Sequence, residues 1–322
     1  MKAAVATRYG IDALALRDVP KPAPKAGEVL VAVYAAAVGR TDCGFLAPHP
    51  ALLGRLMFGW TRPGRQILGM DFAGTVEALG KGVSRFQPGD RVFGMLGWRA
   101  LGAHAEYVCV REDTYIAKMP QGLAFAEAVV SEGAFYAWNS LIALNVKAGD
   151  RILIYGASGA IGTAAVQLAK ISGAHVTAVA ATKHMELMLE LGADRVIDYT
   201  REKFTRIGVT FDGLLDAVGK TTYLRCRRLL KPDAVFAGTD FGPWGQTLLL
   251  TLWCWMTGSK RVTIALPRPL PGFAQFLRQH LEAGDFRVVI DRRYPLDKIR
   301  EAYEYVETGQ KTGIVVIDVR TE

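Results

Sequence analysis

Cysteine and histidine are scarce, at four and five residues in 322. Cys43, Cys109, Cys226 and Cys254 stand far apart and form no C-x-x-C pair. That spacing excludes a zinc knuckle or a disulfide framework and suits reduced thiols, so a cytoplasmic protein is expected. Long apolar runs are missing as well. The most apolar stretch, Thr247 to Met256, is far below the ~18–20 residues that span a bilayer, so no integral membrane segment is expected. The opening MKAAVATRYG lacks the apolar core of a signal peptide. The net charge is +8, yet basic clusters (Arg225, Arg227, Arg228 and Lys231; Arg292 and Arg293) are short and carry no interleaved aromatics. They read as a solvated surface and not as a nucleic-acid site. No internal repeat or low-complexity tract interrupts the chain. Half of its residues are hydrophobic, enough to bury a large core in two domains.

The stretch that is present and organises the rest is Arg151 to Lys170, RILIYGASGAIGTAAVQLAK. Its start suits a short buried strand. Gly156, Gly159 and Gly162 follow at intervals of three, and from Ile161 onward small and apolar residues recur at helical spacing towards Gly173, a C-cap. A strand that turns on glycines into a helix start presents bare N–H groups and the positive end of a helix dipole. Such a turn lets a pyrophosphate approach the main chain. Ser158, Gly159, Ala160 and Ile161 are therefore expected to hold a dinucleotide, although Ala157 replaces the first glycine of the usual G-x-G-x-x-G.

Further strands are expected at His175–Ala180, Arg195–Asp198, Phe211–Asp216, Ala234–Thr239 and Arg261–Ala265. Helical runs lie between most of them, which predicts a doubly wound parallel sheet over 125–265. Residues 1–124 read differently, as short strands (Glu28–Tyr34, Gly74–Ala78, Arg91–Phe93, Ala105–Val110) separated by turns such as Pro88-Gly89-Asp90. This predicts a small, mostly β domain, with Phe45 to Leu68 as a long irregular stretch over an apolar pocket or against a neighbouring subunit. Phe273–Ala283 and Leu296–Val306 read as helices, and Gly313–Val319 as a last strand.

The choice of dinucleotide is legible near Thr182. An NAD site places a carboxylate ~20 residues beyond the glycines. Here the chain has Thr182-Lys183-His184, with no acid before Glu186. A cation beside a hydroxyl suits the 2′-phosphate of NADP(H).

LGMDFAGTVEALGKGVSRFQPGDRVFG, GAHAEYVCV, YGASGAIGTAAVQLAK, LGADRVIDYT, LLDAVGK and DRRYPLDKIREAYEYVETGQKTGIVVI together resemble the medium-chain dehydrogenase/reductase superfamily, nearest its zinc-independent quinone-reductase-like branch. The resemblance covers nearly the whole chain. It implies an α/β protein in which a Rossmann doubly wound parallel sheet joins a GroES-like, mostly β substrate domain, completed by 266–322. It further implies hydride transfer from NAD(P)H to a quinone or α,β-unsaturated carbonyl, by a homodimer acting on a small hydrophobic substrate. Two other readings stay open: a zinc-independent alcohol dehydrogenase or carbonyl reductase, and a non-catalytic NADPH-binding regulator.

In the metal-dependent branch, the resemblance puts three zinc ligands at Gly39, Met70 and near Glu132. Glycine and methionine there imply no metal, with Cys43, His49 and His104 as conceivable substitutes. The candidates for catalysis are then Tyr136, where many relatives carry threonine beside the nicotinamide, Arg40 as an oxyanion donor or in an ion pair with Asp42 or Asp71, and Glu132 as a proton source. Tyr199 matches a tyrosine near the adenosine, and Val218, Thr239 and Leu266 fall at strand ends that face the coenzyme. Leu250, Trp253 and Trp255 are expected either to wall an apolar substrate pocket or to lie in a buried helix at a subunit contact.

Overall fold

The computed structural model describes residues 1–48, 51–98 and 100–321, leaving aside the side chains of residues 52–54 and 57. It divides into two compact units, Met1–Glu132 with Leu270–Glu322, and Gly133–Pro269.

The first unit begins with β1 (Lys2–Ala6) and β2 (Leu14–Asp18), which pair antiparallel. A larger sheet follows from β3 (Glu28–Val38), β4 (Asp71–Leu79), β5 (Arg91–Met95), β6 (Tyr107–Arg111) and β7 (Tyr115–Lys118). Strand β3 carries Val29, Val31, Val33 and Val38, all buried, and pairs antiparallel with β4 and β6. The segment expected to be irregular holds two short helices, the tail of α1 (Arg40–Leu46) and the whole of α2 (Ala51–Phe58). Leucine, methionine and arginine in ALLGRLMF favour helix, and Gly59, at φ 127°, ends it where an L side chain would be strained.

The second unit takes all but the first two residues of α3 (Ser131–Leu144) and then alternates strand and helix: β8 (Arg151–Tyr155), α4 (Ala160–Ile171), β9 (His175–Ala180), α5 (Met185–Glu190), β10 (Arg195–Asp198), β11 (Phe211–Asp216), α6 (Tyr223–Cys226), β12 (Leu230–Gly238), α7 (Gln246–Thr257) and β13 (Val262–Ile264). The six strands run parallel in the order β10-β9-β8-β11-β12-β13. Counted from β8 this is 3-2-1-4-5-6, with the reversal between β8 and β11 that opens a ligand crevice at the strand C-termini. Ile152, Leu153 and Ile154 are buried, as a strand covered on both faces requires. One core cluster gathers Leu153, Val179, Ile197, Phe211, Leu214 and Phe236 from five of these strands.

The chain then returns to the first unit. Helix α8 (Phe273–Ala283) packs near β7, where Leu270 N–H donates to the Tyr115 hydroxyl at 3.2 Å. Strand β14 (Ile290–Pro295), helix α9 (Ile299–Glu307) and β15 (Ile314–Asp318) complete the large sheet in the order β14-β15-β3-β4-β5-β7, with β6 on β3. Helix α9 buries Ile299, Ala302, Tyr303 and Val306, one face at 3–4 residue spacing.

Candidate functional site

In the second unit the glycine turn is built for close approach. Gly156 has φ 77°, and a Cβ there would lie 2.6 Å from the Val218 side chain. A Cβ on Gly162 would lie 2.3 Å from the Gly156 carbonyl oxygen. Glycine at both positions lets the turn press against the first turn of α4. Gly159 is the N-cap residue and supplies no side chain to cap the helix. The first N–H groups of α4, at Ala160 and Ile161, therefore have no side chain capping them. At the far end Gly173 (φ 79°) donates to Lys170 at 2.8 Å and Ala174 to Ala169 at 3.0 Å, a Schellman stop. The cradle fits the phosphates of a dinucleotide.

Past β9, Thr182 and Lys183 are both exposed, in a short 3-10 turn. The Thr182 hydroxyl donates to the Asp198 carboxylate, which also accepts the Thr200 N–H at 2.9 Å and pairs with Arg201 at 3.4 Å. Hydrogen bonds from Thr182 and Thr200 hold the Asp198 carboxyl below its ordinary range. Its charge is thus engaged, while Lys183 and the 75%-exposed Arg201 side chain face solvent with half-exposed Tyr199 beside them. Sequence reasoning missed Arg201, which lies outside the glycine-plus-twenty window; only β10 pairing with β9 brings it close.

Val218, Thr239 and Leu266 follow β11, β12 and β13 at one edge of the sheet. Asp216, buried at the end of β11, accepts N–H groups from Val218 (3.1 Å) and Thr221 (2.9 Å). Its carbonyl accepts the Thr239 N–H at 3.1 Å. This hidden carboxylate sets the shape of the turn that carries Val218.

In the first unit three carboxyls converge. Asp42 accepts the Gly39 N–H at 2.9 Å and the Gly69 N–H at 3.2 Å. Asp71 accepts the Glu132 N–H at 2.8 Å, and Thr41 hydrogen-bonds the Glu132 carboxyl. All three acids are buried. Burial pushes Asp42 up to about 7; burial and the Asp42 charge push Glu132 up to about 7, against Thr41 and Lys311. Asp71 is raised by burial and by the charges of Glu132 and Asp42. Lys311, missed from sequence, sits between Gly309 and Gly313; desolvation lowers its ammonium to about 8 although Glu132 opposes this.

A zinc ion finds no fitting donors here. A Cβ on Gly39 would lie 2.5 Å from Glu132 Oε2, so the glutamate fills the space a ligating side chain would need. His104 Nε2 faces the Ala37 carbonyl at 2.9 Å, and a carbonyl only accepts, so this nitrogen carries the proton. Nδ1 then accepts from the Tyr303 hydroxyl at 3.2 Å, leaving neither nitrogen for a metal; burial lowers this imidazole to about 4. Burial drives the Cys43 thiol far above its usual range. His49 lies outside the described residues. Among the described residues no group of three His, Cys, Asp or Glu is placed to hold a metal.

Arg40 pairs with neither Asp42 nor Asp71. Its guanidinium is exposed and bound to Glu307 of α9 at 3.2 Å. Tyr136 is half-buried on α3 in the second unit, its ring edge-on to Phe135 at 5.9 Å. Within the first unit a cavity of 210 Å³ is lined by Phe45, Phe58, Arg65, Leu68, Trp98 and Leu101. Phe58 meets Phe45 edge-on at 4.9 Å and Trp98 at 6.5 Å, an aromatic lining suited to an apolar guest.

Two family models match: an alcohol dehydrogenase GroES-like domain over residues 25–121 and a zinc-binding dehydrogenase domain over 191–317. The chain is 32% identical to 2-methylene-furan-3-one reductase of Solanum lycopersicum, over 98% of this chain and 79% of that one. It is 31% identical to the chloroplastic NADPH-dependent alkenal/one oxidoreductase of Arabidopsis thaliana, with the same coverage of both. The structure of the quinone oxidoreductase from Coxiella burnetii superposes with a TM-score of 0.86 at 27% identity, covering 99% of each chain.

Proposed function

Because this chain belongs to the medium-chain dehydrogenase/reductase superfamily, in its quinone-reductase-like branch, we propose that it uses NADPH and works without a metal. It is an NAD(P)H-dependent oxidoreductase that reduces a quinone or an α,β-unsaturated carbonyl. The observation that carries the coenzyme reading is the uncapped start of α4 behind a glycine turn, on the strand that borders the topological switch point. The amides of Ala160 and Ile161 bind the pyrophosphate, and Ser158 and Gly159 complete the turn. The strand ends at Val218, Thr239 and Leu266 orient the nicotinamide. When bound, the coenzyme supplies the hydride.

The donor chemistry around Gly39 supports metal-free reduction: the space for a first ligand is taken by a carboxyl that keeps its proton near neutrality. Glu132 is thereby suited to give a proton to the reduced substrate. The Tyr136 phenol is the alternative donor. Arg40, engaged by Glu307, is the weakest of the three candidates. The Phe45–Trp98 cavity gives an apolar substrate a place for its hydrocarbon part.

Purified protein mixed with NADPH and a panel of quinones, enones and aldehydes tests the reading. Coenzyme oxidation with quinones or enones, unaffected by chelators, is expected. Tight coenzyme binding with no oxidation across the panel would point instead to a regulator. Turnover of aldehydes alone, likewise unaffected by chelators, would point to a zinc-independent alcohol dehydrogenase or carbonyl reductase.

Thr182, Lys183 and Arg201 form the 2′-phosphate end in this reading, with Tyr199 near the adenosine. Losing one charge-assisted contact to the phosphate costs roughly tenfold or more in affinity. Lys183→Ala is expected to raise the KM for NADPH by about that factor and to leave the KM for NADH unchanged, with Arg201→Ala adding to it. An unaltered NADPH/NADH ratio in the double variant would reject the assignment.

A further inference from the structure

Helix α2 and the turn after it carry large apolar side chains outward. Phe58, at the end of the helix, faces the 210 Å³ cavity of the first unit, between Phe45 and Trp98. Leu56 lies two residues earlier, about 200° round the helix from Phe58, and is 67% exposed. Past Gly59, at φ 127°, the chain doubles back. Gly64 donates to the Phe58 carbonyl at 2.6 Å, which leaves residues 60–62 at the tip of a closed turn. Trp60 stands on that tip and is 62% exposed.

The turn is fastened from below. The Tyr9 hydroxyl donates to the Gly59 carbonyl at 2.5 Å, and the Arg55 guanidinium lies over the Tyr9 ring at 5.6 Å. The indole at the tip is therefore held out in water by contacts on the inner side of the turn. Beside it, Trp98 and Arg65 line the cavity and also reach the surface. Turn tips ordinarily carry small or polar residues. Leucine and tryptophan here, at the margin of an apolar cavity, mark an interaction surface.

Charge selects the occupant. Arg55, Arg62 and Arg65 are all exposed. The chain has no Asp or Glu between Asp42 and Asp71, and both of those are buried. Nor does one occur between Asp90 and Glu106, the stretch that holds Trp98. The acids on neighbouring segments are engaged: Asp12 pairs with Arg8, and Glu307 with Arg40 at 3.2 Å. A second copy docking by a self-complementary contact would set these arginines against their own equivalents. A nucleic acid would answer the arginines and the indole but offers Leu56 nothing. An anionic lipid surface has a partner for each: phosphates for the arginines, the interfacial zone for Trp60, acyl chains for Leu56. No helix among the described residues is long and apolar enough to cross a membrane, so such a contact stays at the interface.

We propose that α2 and the turn after it, through Leu56, Trp60, Arg55 and Arg62, dock this protein on the surface of an anionic membrane. The full chain floated with vesicles of phosphatidylcholine, with and without phosphatidylglycerol, tests this while light scattering reports its mass. Neither coenzyme nor quinone enters the experiment, so its outcome is independent of the reductase activity. Binding to the anionic vesicles is expected to exceed that to neutral ones by about tenfold and to fall with salt. The double variant Leu56→Glu/Trp60→Glu, changed only at exposed positions outside the cavity lining, should lose binding by about tenfold or more with an unchanged circular dichroism spectrum. Arg55→Glu/Arg62→Glu should abolish the preference for phosphatidylglycerol, whereas Arg62→Lys should keep it. Failure of the wild-type chain to float with anionic vesicles would overturn the proposal. So would undiminished flotation of the Leu56→Glu/Trp60→Glu variant. A wild-type oligomer that this variant dissociates would assign the face to a second copy and overturn it as well. Tighter binding to a single-stranded oligonucleotide than to the vesicles, lost in the same variant, would give the face to a nucleic acid instead.

Discussion

Gly162→Ala is expected to abolish coenzyme binding, with a rise in the dissociation constant for NADPH of about a hundredfold or more. The added methyl would lie 2.3 Å from the Gly156 carbonyl oxygen and 2.6 Å from the Ala157 backbone carbon. Both neighbours are main-chain atoms and cannot rotate aside. The turn must therefore move off the first turn of α4, carrying with it the amides proposed to bind the pyrophosphate. Overpacking of this kind costs roughly 1–3 kcal/mol of stability. Gly44→Ala is the control: that glycine is helical, its φ is ordinary, and a Cβ there meets nothing within 4 Å. It should be neutral, or stabilising by up to about 1 kcal/mol, with unaltered NADPH affinity. Calorimetric titration with NADPH beside thermal unfolding separates the two effects. Wild-type affinity in Gly162→Ala would remove the glycine turn from the coenzyme site.

The second unit was legible because its signals are local. Gly156, Gly159 and Gly162 mark a turn in which the φ of Gly156 and the close contacts of Gly156 and Gly162 require glycine, and strands His175–Ala180, Arg195–Asp198 and Phe211–Asp216 match the structure residue for residue. Strand β12 begins four residues earlier than its apolar run indicates, since in Leu230–Asp233 only the half-buried Leu230 packs on the core and the next three residues are exposed. The first unit hides more. Glu132 and Asp71 look like ordinary charged residues in the sequence, and Asp42 like a partner for Arg40. Their burial depends on the start of α1, the start of β4 and Glu132 meeting, and Glu132 lies some sixty to ninety residues from the other two acids. Arg40 turns instead to Glu307, 267 positions away, which no local pattern could signal. Helix α7 was half legible: composition showed a helix rich in tryptophan and leucine, but the side that the exposed Trp253 and Trp255 occupy is set by where Thr247 and Cys254 pack.

Glu132→Gln is expected to remove a loss of stability that the wild-type protein suffers between about pH 4 and pH 7. In the folded chain Asp42 and Glu132 are both raised to about 7, from ordinary values of 3.8 and 4.5. Between those limits the native state binds more protons than the unfolded one, so unfolding free energy falls as pH rises. At 1.36 kcal/mol per unit, one carboxyl moved this far costs about 3–4 kcal/mol once pH exceeds 7. The two acids interact and titrate as a pair, so neutralising one relieves the other. Glutamine keeps an acceptor for the Thr41 hydroxyl and carries no charge to bury. The variant should match the wild type near pH 4 and exceed it by about 2–3 kcal/mol near pH 7.5. Lys311 works in the opposite sense at higher pH: its ammonium, lowered to about 8, costs stability that is regained as pH climbs from 8 towards 10.5. Urea unfolding from pH 4 to 8 reads the difference directly. If the wild-type and Glu132→Gln curves run parallel across that range, the buried carboxyl is charged at neutrality, and Glu132 has no proton to give a substrate.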